Sequence, residues 1–281
     1  MSKQKSTLTG HLAKFFAVSV VVIGAVGVSH QAIAGISTTK HNLGTGGTGT
    51  NHVTAGTDEI CVFCHTPHAS NTAVSAPLWN KKASGATYTT YSTANSSTID
   101  GAVASVGSIS LACLSCHDGT QAMDNIVNAP GSGGYDATGG GANGLGYTWT
   151  GARVDANGKL TGIANLGSDL SNDHPIGIRY CGGGQDSSSP TGACTDTDFT
   201  APQNATINSA KVWWVDTSGG SAGTREKTDM ILYTRAGADF SIANAAPSVE
   251  CGSCHDPHSN NTTFLRIANS GSAVCLACHT K

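Results

Sequence analysis

The chain has 281 residues and a formal net charge of −3, with 36 glycines, 6% aromatic residues and 12% charged residues. Binding to nucleic acid requires a basic face that neutralises phosphates, so this charge balance argues against a nucleic-acid partner. Because aromatic and strongly helix-forming residues are scarce, we expect an irregular chain with little side-chain core of its own.

The first 34 residues have the features of a secretory signal peptide. Lys3, Lys5 and Lys14 precede the apolar run Phe15–Val28, and no acidic residue occurs in this segment. The run is shorter than the roughly 20 residues that a membrane span requires. An A-x-A cleavage site at Ala32–Ala34 predicts a mature chain that begins at Gly35 and has no membrane span. The alternative is an uncleaved anchor. Loss of the three lysines changes the formal net charge from −3 to −6.

Four copies of Cys-x-x-Cys-His follow: motif 1 (61–65), motif 2 (113–117), motif 3 (251–255) and motif 4 (275–279). In this pattern both thiols bond to the porphyrin edge, and the histidine binds iron as the proximal ligand. Zinc sites and redox dithiols also use paired cysteines, but they do not require a histidine after every pair. The sequence therefore predicts four covalently bound haem c groups. The attaching residues are Cys61, Cys64, Cys113, Cys116, Cys251, Cys254, Cys275 and Cys278, and the proximal ligands are His65, His117, His255 and His279.

The motifs form an internal repeat. Motifs 1 and 3 each continue with x-Pro-His, which ends at His68 and His258, and each is followed by a motif of a second type. After the signal peptide (1–34), we therefore expect an N-terminal haem-pair region (35–130), a Gly-rich insert without haem motifs (131–250) and a C-terminal haem-pair region (251–281).

The insert contains a predicted β-hairpin. The β-branched and aromatic runs 211–216 and 230–235 flank a Gly/Ser-rich turn. Trp213 and Trp214 are expected on opposite faces of the first strand, with one of them packed inward.

The insert also holds Cys181 and Cys194, the two cysteines outside the motifs. In an oxidising compartment they are expected to form a disulfide, and two free thiols are the alternative. With these elements, the predicted fold class is a mostly irregular multihaem cytochrome c with short helices at the haem sites, a small β-hairpin region and a haem-packed core.

Five further histidines are available as second axial ligands: His41, His52, His68, His174 and His258. Only Met123 and Met230 remain as methionine alternatives after signal removal, and both are expected to pack. His68 and His258 follow their proximal histidines by three residues, too short a link to reach the other face of the same porphyrin. Each is therefore expected to bind the iron of a neighbouring haem.

Several segments resemble a known family. Cys-Val-Phe-Cys-His-Thr-Pro-His (61–68), Ala-Pro-Leu-Trp-Asn (76–80) and Asn-Asp-His-Pro-Ile-Gly (172–177) resemble the doubled-CXXCH multihaem cytochromes of metal-reducing microbes. Within that group the chain is similar to extracellular tetrahaem cytochromes that polymerise into conductive filaments. The resemblance implies bis-histidine haems, with His41, His68, His174 and His258 as distal ligands. His52 is left as an alternative to His41.

The expected function is electron transfer without enzymatic activity. The protein is expected to be exported and to form a head-to-tail homopolymer at the cell surface or outside the cell. Redox proteins and extracellular acceptors such as metal oxides are the expected partners. The alternatives are a monomeric periplasmic electron shuttle and a multihaem reductase, which would need an open iron position.

Overall fold

The computed structural model describes residues 35–49, 51–131, 134–136, 144–217 and 223–281. Residues Gly35–Lys281 form one compact unit. The predicted signal segment, much of the glycine-rich loop at 131–146 and most of the hairpin turn lie outside the described residues. Within the described ranges, no helix has the length and apolar character needed to cross a membrane.

The described chain contains three short α-helices, which are α1 (Ser108–His117), α2 (Cys251–Cys254) and α3 (Ala273–Cys278). It also contains short 3₁₀ segments at Gly35–Thr38, Gly162–Ala164, Tyr180–Gly182, Gly237–Phe240, Thr262–Phe264 and Ser270–Ser272. The helices coincide with motifs 2, 3 and 4.

Nine strands form three antiparallel sheets in the described residues. Strand β1 (Asn51–Ala55) pairs with β4 (Thr148–Gly151), and β2 (Asn128–Ala129) pairs with β3 (Gly134–Tyr135). The largest sheet has five strands in the order β5-β9-β8-β7-β6. These strands are β5 (Ile178–Arg179), β6 (Gln203–Ile207), β7 (Ala210–Val215), β8 (Met230–Arg235) and β9 (Ala246–Val249).

The predicted hairpin is confirmed, but it is only the middle of this larger sheet. Strands β7 and β8 pair antiparallel, with Trp213 opposite Leu232. A second hairpin joins β6 to β7 through Asn208 and Ser209, which have φ angles of 48° and 64°. Two central residues with positive φ are typical of the two-residue turns that match the twist of β-strands, and asparagine tolerates this conformation.

Both tryptophans of β7 are buried, whereas the sequence predicted that one of them packs inward. Trp213 is 0% exposed and Trp214 is 1% exposed. Successive residues of a strand point to opposite faces, so the sheet is covered on both faces at this position. Each buried tryptophan removes a large apolar surface from water, which offsets the scarcity of other large apolar residues.

The predicted fold class is also wrong in its strand content and in its haem-packed core. One cluster of side chains centres on Trp213, Tyr180, Met230 and Leu232 and packs against motifs 3 and 4. A second cluster centres on Phe63, Val53 and Ile126 and packs against motifs 1 and 2. Met123 and Met230 lie within these clusters, as expected for packing residues. Protein side chains thus form a core behind each haem-pair region.

Cys181 and Cys194 form the predicted disulfide, with a sequence separation of 13. Replacing both with alanine is expected to lower the free energy of unfolding by about 3 kcal/mol, because a cross-link across a loop of this size restricts the unfolded chain. Denaturant unfolding followed by circular dichroism measures the change. A reducing agent should destabilise the parent protein by the same amount and leave the double variant unchanged. Two alkylatable thiols in the parent protein would contradict the assignment.

Candidate haem-binding sites

Each Cys-x-x-Cys-His motif forms one helical turn. The histidine N–H donates to the carbonyl of the first cysteine at 2.8 Å in motif 1, 3.1 Å in motif 3 and 2.9 Å in motif 4, and motif 2 lies inside α1. Residues three apart on a helix share one face. The two thiols of each motif are therefore presented together, with the histidine directly beside them.

Three motif histidines are oriented by hydrogen bonds from Nδ1 to backbone carbonyls. His65 donates to Pro77 at 2.7 Å, His117 to Ala164 at 2.8 Å and His255 to Thr263 at 2.8 Å. A proton held on Nδ1 leaves Nε2 as the lone-pair nitrogen, which is how metal-binding histidines are oriented. The ring of His279 instead packs on Phe199, with centroids 4.4 Å apart.

Two histidines expected as distal ligands lie near motif histidines. The His258 ring is 6.3 Å from the His65 ring, and the His41 ring is 6.3 Å from the His117 ring, between centroids. Metal–imidazole bonds are about 2.0 Å long, so two rings on opposite sides of one metal ion have centroids about 6 Å apart. Both pairs therefore have the spacing of two axial ligands, and the described residues fit haem at these sites.

The His258–His65 contact joins motifs of different haem-pair regions. His258 therefore lies beside motif 1, and its binding to the iron of a neighbouring site stays a prediction. The His258 Nδ1 is 3.7 Å from Asp256 Oδ1, which leaves Nε2 directed away from that carboxylate.

The His41 ring is held by two contacts within its own chain. Its ring stacks on Phe264 at 4.0 Å, and its Nδ1 lies 3.4 Å from the Pro257 carbonyl oxygen. Burial lowers its pKa to about 4, and the neighbouring His117 contributes to the shift. His52 instead lies in β1, and its Nδ1 is buried with no hydrogen-bond partner among the described residues. The structure thus favours His41 over His52 beside motif 2.

The other two candidates are less enclosed. Partial burial lowers the pKa of His174, and the charge of His279 adds to this lowering. His68 is exposed, and its carbonyl accepts a hydrogen bond from Asn128 Nδ2 at 2.5 Å. Within the described part of the chain, no ring contact joins His68 to another histidine.

The cysteine thiols of each motif lie near the thiols of the motif that follows it in the sequence. Burial raises the pKa of Cys64 to about 12, and Cys116 adds to the rise, so motifs 1 and 2 adjoin. A hydrogen bond with Cys251, followed by burial, raises the pKa of Cys113, so motifs 2 and 3 adjoin. Burial raises the pKa of Cys278 to about 12, and Cys254 adds to the rise, so motif 3 adjoins motif 4. Cys64 and Cys116 also pack against one side-chain cluster, and Cys254 and Cys278 pack against another. Each motif therefore adjoins the next in sequence order, and we call this arrangement the row.

Both ends of this row reach the surface. Cys61 and Cys275 are exposed, whereas the other six motif cysteines are only partly exposed. Leu276 in motif 4 is 54% exposed, and Leu78 is 53% exposed. Leu78 lies beside motif 1, because its carbonyl accepts a hydrogen bond from the Thr66 N–H. Each end of the row thus combines an accessible thiol with an exposed leucine.

Sequence reasoning missed the residues that join the two haem-pair regions. The Glu250 side chain accepts hydrogen bonds from the Gly107 N–H at 3.2 Å and from Ser110 Oγ at 2.6 Å, both near the start of α1. It also pairs with Arg235 at 3.1 Å. A Cβ at Gly107 would overlap this carboxylate. Only the acidic residue directly before Cys251 could have signalled this contact in the sequence.

Residues 244–281 match the family model of the doubled CXXCH motif. A comparison of the whole chain with curated proteins finds no match. The matched segment contains motifs 3 and 4, and their residues have the thiol and histidine geometry described above. The chain therefore carries the doubled CXXCH motif of multihaem c-type cytochromes, which indicates covalently bound haem c.

Proposed function

We propose that this protein is a tetrahaem c-type cytochrome that carries electrons along the row of motifs 1 to 4. In this proposal each motif attaches one haem through its two cysteines, and His65, His117, His255 and His279 are the proximal ligands. His258, His41 and His174 are distal ligands at motifs 1, 2 and 4, and His68 is the distal ligand at motif 3. The single observation that carries the proposal is the continuous row of motif thiols.

The residues of the chain hold and orient the haems in this proposal. Haem, when bound, supplies a one-electron redox centre at each motif. The backbone carbonyls of Pro77, Ala164 and Thr263 keep the proton on Nδ1 of three motif histidines, so that Nε2 is available to the metal. Two histidines per site leave no open position for a substrate, which favours an electron carrier over a reductase.

Intact-mass spectrometry of the exported protein tests the proposal. We expect the mass of the chain from Gly35 plus four haems, and an oxidised EPR spectrum dominated by low-spin bis-histidine iron. Replacing Cys251 and Cys254 with serine should remove one haem and leave three. A parent protein with fewer than four haems, or with mainly high-spin iron, would contradict the tetrahaem assignment and favour a reductase.

We further propose that subunits join end to end as an extracellular filament, with the motif 4 end of one subunit against the motif 1 end of the next. The exposed ends of the row support this arrangement, because a head-to-tail contact that does not close generates a filament. Redox proteins and metal oxides are the proposed donors and acceptors. His41 contacts motif 2 of its own chain, so the contact does not require a ligand donated between subunits.

Electron microscopy of the secreted protein tests assembly. Leu276→Asp should abolish filaments and leave the haem content unchanged, because a charge at the contact opposes burial of the end face. Ile207→Asp is the matched control, since Ile207 is 44% exposed and lies in β6, outside the four motifs. A parent protein that stays monomeric when concentrated would reject the filament and favour the periplasmic shuttle.

A further inference from the structure

Lys81 is a buried cation that the haem-binding geometry does not use. Its side chain is 0% exposed, although lysine is almost never fully buried without a partner. Within the described residues, no carboxylate oxygen lies within 4.0 Å of its Nζ. Burying a charge is costly unless hydrogen bonds compensate it, so the surroundings of this ammonium group need an explanation.

Three backbone carbonyls surround the Lys81 Nζ. The acceptor oxygens belong to Ala122 at 3.1 Å, Met123 at 3.0 Å and Asn125 at 3.2 Å. An ammonium group has three N–H donors, so this cage matches the charged form and satisfies every donor. The carbonyl dipoles stabilise the charge, but they carry no net charge of their own that would cancel it at a distance.

The cage lies between motifs 1 and 2. Asn80, directly before Lys81, donates its backbone N–H to the Cys64 carbonyl at 2.9 Å. The three carbonyls belong to the segment that follows motif 2 in the chain. Burial raises the pKa of the Cys64 thiol, and the positive charge of Lys81 acts in the opposite direction and lowers that pKa. The ammonium group is therefore fixed near Cys64 of motif 1 and bound to the segment that follows motif 2.

We propose that Lys81 raises the reduction potential of the haems at motifs 1 and 2. Reduction removes one positive charge from a haem site, so a fixed cation nearby favours the reduced state. Buried charges are screened less by salt and water than exposed charges, and no carboxylate oxygen of the described residues lies within 4.0 Å of the Lys81 Nζ. The inference rests on the proposed haem sites, and it gives the first half of the row a higher potential than its ligands alone would set.

Spectroelectrochemical titration of the holoprotein tests the inference with Lys81→Met and Lys81→Gln. Both variants remove the charge, and glutamine keeps an amide that can donate to the carbonyls. In each variant, the ratio of oxidised to reduced haem at motifs 1 and 2 is expected to rise by roughly tenfold at a fixed applied potential. This change corresponds to a fall in the reduction potential of about 59 mV for one electron. Lys82→Met is the matched control, because Lys82 is the next residue and is exposed.

The possible outcomes separate charge from structure. Equal shifts in both Lys81 variants and none in Lys82→Met would support the inference. Parent potentials in Lys81→Gln with a shift only in Lys81→Met would assign Lys81 to hydrogen bonding and overturn it. An equal shift in Lys82→Met, unchanged potentials, or haem loss from both Lys81 variants would also overturn it. A parent protein without haem at motifs 1 and 2 would instead reject the proposed function, which intact mass detects separately.

Discussion

In the proposed tetrahaem protein, His258→Ala is expected to leave the iron at motif 1 without its second histidine. The His258 ring is 6.3 Å from the His65 ring, so its loss should convert the haem at motif 1 from low-spin to high-spin. EPR and absorbance spectra of the oxidised protein measure the conversion. The haem at motif 3, to which His258 is closest in sequence, should keep its low-spin spectrum.

A combined variant assigns the high-spin iron to its motif. Replacing Cys61 and Cys64 with serine in the His258→Ala background removes the haem of motif 1, so the high-spin signal should disappear. Persistence of the signal would show that His258 serves another site. His52→Ala is the control, because His52 lies in β1 and has no ring contact with a motif histidine among the described residues. That control should keep the parent spectrum.

Glu250→Ala is expected to lower the free energy of unfolding by about 3 kcal/mol. Removing one partner of a buried ion pair costs about 3–5 kcal/mol, and the lower end applies because Asp239 still pairs with Arg235 at 3.1 Å. Glu250 is 2% exposed and links the start of α1 to α2. Chemical denaturation of the holoprotein, followed by circular dichroism, measures the change.

Asp239→Ala provides the matched control for Glu250. Asp239 pairs with the same arginine, but its side chain is 36% exposed, and exposed ion pairs contribute about 0–1 kcal/mol. The free energy of unfolding of the control should therefore fall by less than about 1 kcal/mol. Equal losses in the two variants would contradict the role of Glu250 as the link between motifs 2 and 3.

The features that sequence predicted well are local. A Cys-x-x-Cys-His motif carries its chemistry within five residues, and the helical turn closes with a hydrogen bond inside the motif. The β7–β8 hairpin follows from two adjacent β-rich runs, and the disulfide joins cysteines only 13 residues apart. These predictions depend on residue type and short spacing, which the sequence states directly.

The full extent of the five-stranded sheet was missed because strands β5 and β9 give weak local signals. Strand β5 has two residues, and β9 has the sequence Ala-Pro-Ser-Val. Proline inside a run argues against a strand, so β9 reads as a loop in the sequence. It becomes a strand because its residues are buried between β5 and β8. Pairing with distant strands therefore overrode its local preference.

The sequence by itself determined the haem-attachment chemistry, the supply of histidines and the disulfide, since each depends on residue type and short spacing. The tertiary structure alone decided the order of the motifs in the row, the choice of His41 over His52 beside motif 2 and the meeting of His258 with His65. It also decided the burial of Lys81. All of these depend on contacts between segments far apart in the chain, such as Ser110 with Glu250, 140 residues away. Such contacts are selected by packing and by the need to satisfy buried polar groups. Neither requirement can be predicted from a short stretch of sequence.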